Sequence, residues 1–189
     1  MSTEPGGEVW LVRHGETEWS RTGRHTGSTD VPLTAAGERS ARELGARLAD
    51  TDFSDVVTSP LQRAHRTAEL AGFPDARVEP RLVEWDYGDY EGITTPEIRE
   101  REPEWTVWTH GALGGETVEQ MSARMDAVLA DVDIEGHTLV VAHGHTLRAL
   151  TARWLRLPVR EGRHFKLDTA TISVLGFERD VPVITRWNS

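Results

Sequence analysis

The chain has 189 residues, 38% of them hydrophobic, enough for a full core in a single domain or a domain carrying a small insertion. It contains no cysteine, which excludes a disulfide framework and thiolate or sulfur–metal chemistry. Its net charge of −10 argues against nucleic acid or an anionic membrane surface as the main partner. An anionic substrate must therefore be drawn by a local basic pocket. Lys166 is the only lysine among the 21 basic residues, so the position of an arginine carries more information than the number of them. No apolar run approaches the length of a membrane span. Met1 to Glu8 is polar and glycine-bearing, unlike a signal segment. The expectation is a cytoplasmic protein; the sequence leaves room for a homodimer.

In chain order, Val9 to Val12 reads as a first strand, and Arg13 to Leu33 lacks periodicity and reads as a loop. Thr34 is placed to cap a helix with Glu38 nearby, and Ala41, Leu44 and Leu48 then fall on one helical face. Asp55 to Thr58 is a short β-branched strand. Pro60 suits a first helical turn, and Leu61 to Ala71 follows as a helix ended by Gly72. Arg77 to Val83 is read as another strand. Asp86 to Gly115 is irregular, with a short helix around Thr95 to Arg101; a small cap-like insertion is expected over about 86–116 of a single domain spanning 1–189. Val118 to Val132 carries Val118, Met121, Met125 and Leu129 at helical spacing. Thr138 to Ala142 is a continuous apolar strand of the buried parallel kind. Thr146 to Leu155 is helical, and Thr171 to Phe177 and Val181 to Thr185 are closing strands. Strands alternating with helices imply an α/β three-layer α/β/α sandwich around a mostly parallel mixed sheet.

The chemistry concentrates where strands end. Leu11-Val12-Arg13-His14-Gly15-Glu16-Thr17 runs a strand into an Arg-His pair at its carboxyl end, where open α/β sheets bind ligands. The guanidinium is a planar, permanently charged fork for phosphate oxygens, and an imidazole of fixed proton state is a nucleophile. Leu139-Val140-Val141-Ala142-His143-Gly144-His145 repeats the arrangement, with a helix N-terminus following as an anion site. Thr58-Ser59-Pro60-Leu61-Gln62-Arg63 presents Arg63 from a helix's first turn. Leu82-Val83-Glu84-Trp85-Asp86-Tyr87-Gly88 sets a carboxylate beside aromatic bulk, a setting for general acid work.

Arg13-His14-Gly15-Glu16-Thr17, Ser59-Pro60-Leu61-Gln62-Arg63-Ala64, Glu84-Trp85-Asp86-Tyr87-Gly88 and Ala142-His143-Gly144 occur in the order seen in the histidine phosphatase superfamily, and the chain resembles its phosphoglycerate mutase-like branch from about Trp10 to Phe177. The resemblance implies a mixed-sheet sandwich and a metal-free, cofactor-free reaction on a small phosphate monoester through phosphohistidine. It implies His14 as nucleophile, Arg13, Arg63 and His143 as the phosphate pocket, and Glu84 as proton donor. It further points to Thr17, Ser20, Thr26, Gly27, Tyr87, Gly144 and His145 as substrate-binding positions. Two arginines and an imidazolium around a phosphoryl group would supply the charge that a metal supplies elsewhere.

The resemblance to cofactor-dependent mutases weakens after Gly92, where Gly92 to Gly115 has no lysine and no adjacent arginine pair. His145 replaces the asparagine found there in mutases. These departures favour hydrolysis of sugar phosphates or phosphoglycerates over phosphoryl return, with a mutase and a non-catalytic phospho-ligand binder as the competing readings. His143-x-His145 has the look of a metal pair, but Gly144 should turn the two rings apart, and no Asp/Glu–His set completes a cage. His65, His110, His137 and His164 read as ordinary polar residues, and Trp19, Trp85, Trp105, Trp108 and Trp154 as packing or pocket walls.

Overall fold

The structure is a computed structural model and describes residues 6–189. Its sheet has six strands in the order β3-β2-β4-β1-β5-β6: β1 (Val9–Arg13), β2 (Asp55–Thr58), β3 (Arg77–Val78), β4 (Thr138–Ala142), β5 (Ile172–Glu178) and β6 (Val181–Arg186). The first four run parallel, and β5 and β6 are antiparallel additions at one edge. All of β4 is buried, as its unbroken apolar run requires.

Side-chain alternation along β1 divides the core. Val9 and Leu11 face one cluster together with Val140, Ala142, Met121, Met125, Leu147 and Leu150; Trp10 and Val12 face the other with Leu139, Val141, Leu44, Leu48, Ala64 and Ala68. The first cluster is covered by α6 (Val118–Ala130) and α7 (Gly144–Trp154), the second by α2 (Ala35–Leu48) and α3 (Gln62–Leu70). This is the three-layer sandwich expected from the alternation of elements. Thr34 caps α2 by accepting from the Gly37 N–H, and Ala41, Leu44 and Leu48 are its buried face.

Local chemistry moved several boundaries. Pro60 stands before α3, whose N-cap is Leu61. The strand expected over Arg77 to Val83 stops at Val78, because Pro80 lacks an N–H for the ladder and opens a 3₁₀ turn, Pro80–Leu82, capped by the Glu79 carboxylate. Helix α7 starts at Gly144 with His143 as N-cap, so Gly144 opens a helix where a turn was expected. Two short helices were not anticipated. These are α1 (Glu18–Thr22), inside the segment read as loop, and α5 (Val107–His110). Residues 86–116 also hold a 3₁₀ turn at Gly88–Tyr90 and α4 (Thr95–Arg99), whose Thr94 and Glu97 form a capping box. Trp85, Trp105 and Trp108 are buried here; Trp85 meets Trp108 edge-on at 5.6 Å, and Tyr90 meets Trp105 at 5.1 Å. No helix of the described residues is long and apolar enough to cross a membrane.

Two glycines let α2 touch the loop after β1. A Cβ on Gly15 would lie 2.5 Å from the Gly37 carbonyl oxygen, and one on Gly37 would lie 2.2 Å from the Glu16 carbonyl oxygen. Gly→Ala inside a helix ordinarily stabilises. Gly37→Ala is expected to do the opposite, by about 1–3 kcal/mol from overpacking. Thermal unfolding checks the sign: a raised melting temperature would mean that this contact yields freely.

Candidate active site

The parallel register of β1 and β4 pairs Arg13 with Ala142, and the His14 N–H donates to the Ala142 carbonyl at 2.9 Å. Both strands thus release their histidines at the same sheet edge, with the His14 and His143 rings 5.1 Å apart. The His14 Nδ1 lies 2.7 Å from the carbonyl oxygen of Gly15. A carbonyl only accepts, so Nδ1 carries the proton and Nε2 keeps its lone pair. His14 is 5% exposed. Burial, then the charges of Arg13 and Arg63, lower its pKa to about 3. The ring is neutral at physiological pH, as a nitrogen nucleophile must be.

Arg13 reaches across to the Leu167 carbonyl through Nη1 at 2.6 Å. Its buried Nε–H has no hydrogen-bond partner among the described residues. A Cβ on Gly144 would sit 3.2 Å from that Nε, so glycine lets the guanidinium lie close against the first residue of α7. Arg63 is fully buried. Its Nε donates to His143 Nδ1 at 3.2 Å, Nη1 to the Thr29 carbonyl, and Nη2 to those of Thr26 and Gly27. An arginine cannot accept, so His143 carries its proton on Nε2 and donates to Ser59 Oγ at 2.7 Å. Burial and the flanking Arg63 hold the His143 pKa well below its ordinary value. The imidazolium expected at this position is therefore a neutral imidazole, and the standing positive charge belongs to the guanidiniums, which stay ionised despite burial.

Glu84 is 7% exposed and is held by donors, not by the aromatic bulk beside it. Oε1 accepts from the Trp85 N–H, the Thr146 N–H and Thr146 Oγ1; Oε2 accepts from the His145 N–H at 3.0 Å. Two of these donors are N–H groups in the first turn of α7, where the helix dipole favours a carboxylate. Oε2, with a single bond, keeps a lone pair for a proton. The chain around Glu84 is pinned by a partly buried pair: Arg124 binds the Glu116 carboxylate at 2.6 and 2.7 Å and also donates to the carbonyls of Arg81 and Val83.

A cavity of about 260 Å³ opens over this floor. Arg13, His14, Ser20, Thr26, Glu84, Tyr87, Gly144 and His145 line it, as do Gly23, Arg24, His25, Thr95, Arg148 and Leu167. Arg63 and His143 are not in its wall; both are fully buried, the His143 ring 5.1 Å from that of His14. Two positions expected to bind substrate, Thr17 and Gly27, lie outside this lining. Thr17 is fully buried as the N-cap of α1 in a capping box with Ser20, and Gly27 is buried with its carbonyl on Arg63 and its N–H on Glu91. Both shape the loop without reaching the cavity. The Ser20 hydroxyl does line it, while donating to the Thr17 carbonyl and accepting from the Thr17 N–H.

The far wall is aromatic and neutral. The Tyr87 hydroxyl, its pKa raised well above normal by burial and then by the Glu84 charge, is hydrogen-bonded to His145 Nδ1 at 2.6 Å. Burial and then Arg148 hold the His145 pKa well below normal, and burial takes His25 down to about 4. Arg148 stacks over Trp108 at 4.7 Å and donates Nε and Nη2 to the carbonyls of Gly162 and Arg163. Its place in the cavity went unread in the sequence, although it lies one helical turn after Gly144 and so shares that face. Ser59, the partner of His143, was quoted in a motif without a role. The Leu167 and Gly15 carbonyls carry no side-chain signal at all. Among the described residues no three His, Asp or Glu side chains gather in a metal-holding arrangement.

The chain is similar to known proteins in both sequence and fold. The chain is 47% identical over 176 residues to an acid phosphatase of Mycobacterium tuberculosis, covering 90% of this chain and 87% of that protein. It is 36% identical over 185 residues to sedoheptulose 1,7-bisphosphatase of Saccharomyces cerevisiae, covering 80% and 68%. A solved structure of a Mycobacterium tuberculosis open reading frame superposes with a TM-score of 0.93 at 44% identity over 97% of both chains. The α-ribazole phosphatase of Shigella flexneri superposes at 0.84, with 29% identity over 96% of each. The model of the histidine phosphatase superfamily, branch 1, matches residues 9–189, and the chain belongs to that superfamily.

Proposed function

We propose that the protein hydrolyses small phosphate monoesters through a phosphohistidine on His14, without a metal. The observation that carries this reading is the state of the His14 ring. Its Nδ1 proton is engaged by the Gly15 carbonyl, its Nε2 lone pair is free, and two guanidiniums flank it. In the first step the Nε2–P bond forms as the ester P–O bond breaks, and Glu84 gives its proton to the departing oxygen. In the second, a water oxygen bonds to phosphorus as the N–P bond breaks, and Glu84 takes the water proton. Arg13 offers its unpartnered Nε–H to the phosphoryl oxygens, and Arg63 adds fixed charge. Residues 86–116 act as a cap over the leaving group. The neutral His25, His145 and Tyr87 wall suits hydroxyl groups, and Arg148 at the cavity wall suits a further anionic group, which supports sugar phosphates or phosphoglycerates as substrates. The names of the acid phosphatase and bisphosphatase relatives support the same class.

A mutase is the second reading, favoured by 32% identity over 192 residues to a probable phosphoglycerate mutase of Salmonella. A phosphate-release screen over sugar phosphates, phosphoglycerates and nucleotides, run with and without 2,3-bisphosphoglycerate, separates the two. Phosphate release unaffected by the bisphosphate supports hydrolysis, and isomerisation that needs it supports the mutase. The rate should survive exhaustive chelation; loss restored by an added metal would contradict the metal-free step.

Glu84→Gln should slow turnover of an alkyl phosphate by roughly the 10²–10⁴-fold typical of general acid catalysis, because an alkoxide needs the proton. A nitrophenyl ester, whose phenolate leaves readily, should be slowed much less in its phosphorylation step. Equal losses on the two esters in single-turnover kinetics would make Glu84 structural.

The lowered pKa of His14 has a consequence for acid stability. An unfolded histidine titrates near 6.5, and the folded one near 3, so between these values the unfolded chain binds the extra proton. Stability contributed by the neutral site is present above about pH 6.5 and declines as pH falls toward 3. His25, at about 4, acts in the same direction. Melting temperature against pH should therefore fall on acidification with net proton uptake on unfolding. An NMR titration of His14 centred near 6.5 in the folded protein would contradict the assignment.

A further inference from the structure

We infer that Thr67, on the helix that carries Arg63, is a positioning residue for the nucleophile. Its hydroxyl accepts the Gly15 N–H at 3.0 Å and donates to the Arg63 carbonyl at 2.7 Å, and its side chain is fully buried. Gly15 is also the residue whose carbonyl takes the His14 Nδ1 proton. The glycine is thus held from two sides. Gly37 of α2 leaves no room for a Cβ, and Thr67 of α3 takes its N–H.

The consequence concerns the proton on His14. A histidine in solution shares its neutral form between two tautomers, and only the one protonated on Nδ1 leaves Nε2 able to attack. The Gly15 carbonyl selects that tautomer only while the Gly15 backbone keeps its conformation. Among the described residues, Thr67 supplies the one side-chain hydrogen bond to that residue's backbone apart from His14 itself. Removing the hydroxyl leaves a buried N–H unsatisfied, and the backbone must turn to find another acceptor. The Gly15 carbonyl turns with it. Thr67 therefore acts through Gly15 on the ring, and it touches neither substrate nor the reacting atoms. The inference rests on His14 being the nucleophile.

Thr67→Val keeps the shape and removes the hydroxyl; Thr67→Ser keeps the hydroxyl. With p-nitrophenyl phosphate, Thr67→Val should lower kcat by roughly 10- to 100-fold, the scale of a misplaced reacting group. KM should change by less than about threefold, because substrate binding does not use the tautomer. Thr67→Ser should restore most of kcat. Long-range ¹H–¹⁵N correlation of the His14 ring gives a readout independent of activity. The wild type should show the Nδ1-protonated form, Thr67→Val a mixture, and Thr67→Ser the wild-type form. Thr67→Ala replaces Thr67→Val if the latter does not fold. A hydroxyl-free variant that folds and keeps both kcat and the single tautomer overturns the inference. A variant that loses kcat with the tautomer unchanged overturns it as well. Failure of the underlying assignment looks different: wild-type enzyme would then turn over without ever carrying phosphate on His14.

Discussion

The parallel pairing of β1 with β4 is the constraint on which the site depends. Register alone sets Arg13 opposite Ala142 and ties the His14 N–H to the Ala142 carbonyl. Both strands then end together, and each is followed at once by a histidine. A slip of one residue would move Leu11 and Val140 out of one core face and into the other, so burial on both faces enforces the register. From the antiparallel side, the Ala170 N–H donates to the Arg13 and His14 carbonyls at 3.0 and 3.2 Å and fixes the same exit. The loop leading to β5 also supplies the Leu167 carbonyl that holds Arg13. His14 and Arg13 are therefore placed by main-chain groups of β4 on one side and of the loop before β5 on the other.

Electrostatics follow from that placement. The chain is strongly acidic overall, yet its cavity gathers Arg13, Arg24 and Arg148, with Arg63 buried nearby, against the single carboxylate of Glu84. The four nearby histidines His14, His25, His143 and His145 all have lowered pKa values, with burial the largest cause in each. They contribute lone pairs and N–H donors, while charge comes from guanidiniums that cannot titrate in the working range. The division is useful chemically. A nucleophile needs a neutral nitrogen, and a phosphoryl group in transfer needs fixed positive charge around its oxygens.

Much of this was legible in the sequence. The β4 strand declared itself by five consecutive apolar or β-branched residues, and the Arg13-His14, Arg63, Glu84 and His143 motifs each sit where an element begins or ends. What stayed hidden has physical reasons. Helix α1 is one turn long, and its capping box places Ser20 where glutamate or glutamine usually signals one. The strand expected over Arg77 to Val83 is cut to Arg77–Val78 because Pro80 has no N–H for the ladder. The capping role of Thr17 and the support that the Gly27 carbonyl gives Arg63 depend on the loop's fold, which residue type alone does not reveal. The protonation of His143 depended on Arg63 having no acceptor, which only their 3.2 Å contact reveals. Arg148 shares a face with Gly144, yet nothing in an arginine on a helix says that its carbonyl partners will turn it into a cavity.

The central claim is that phosphate is carried on His14 Nε2 during turnover. Rapid quenching with p-nitrophenyl phosphate, followed by mass analysis of peptides kept at alkaline pH, measures it directly. The account predicts one phosphoryl group on the peptide containing His14, stable in alkali, lost in acid, formed and discharged at least as fast as turnover, and absent from His14→Ala. Turnover with no phosphopeptide at any time, or with phosphate on another residue while His14→Ala keeps its rate, would contradict it.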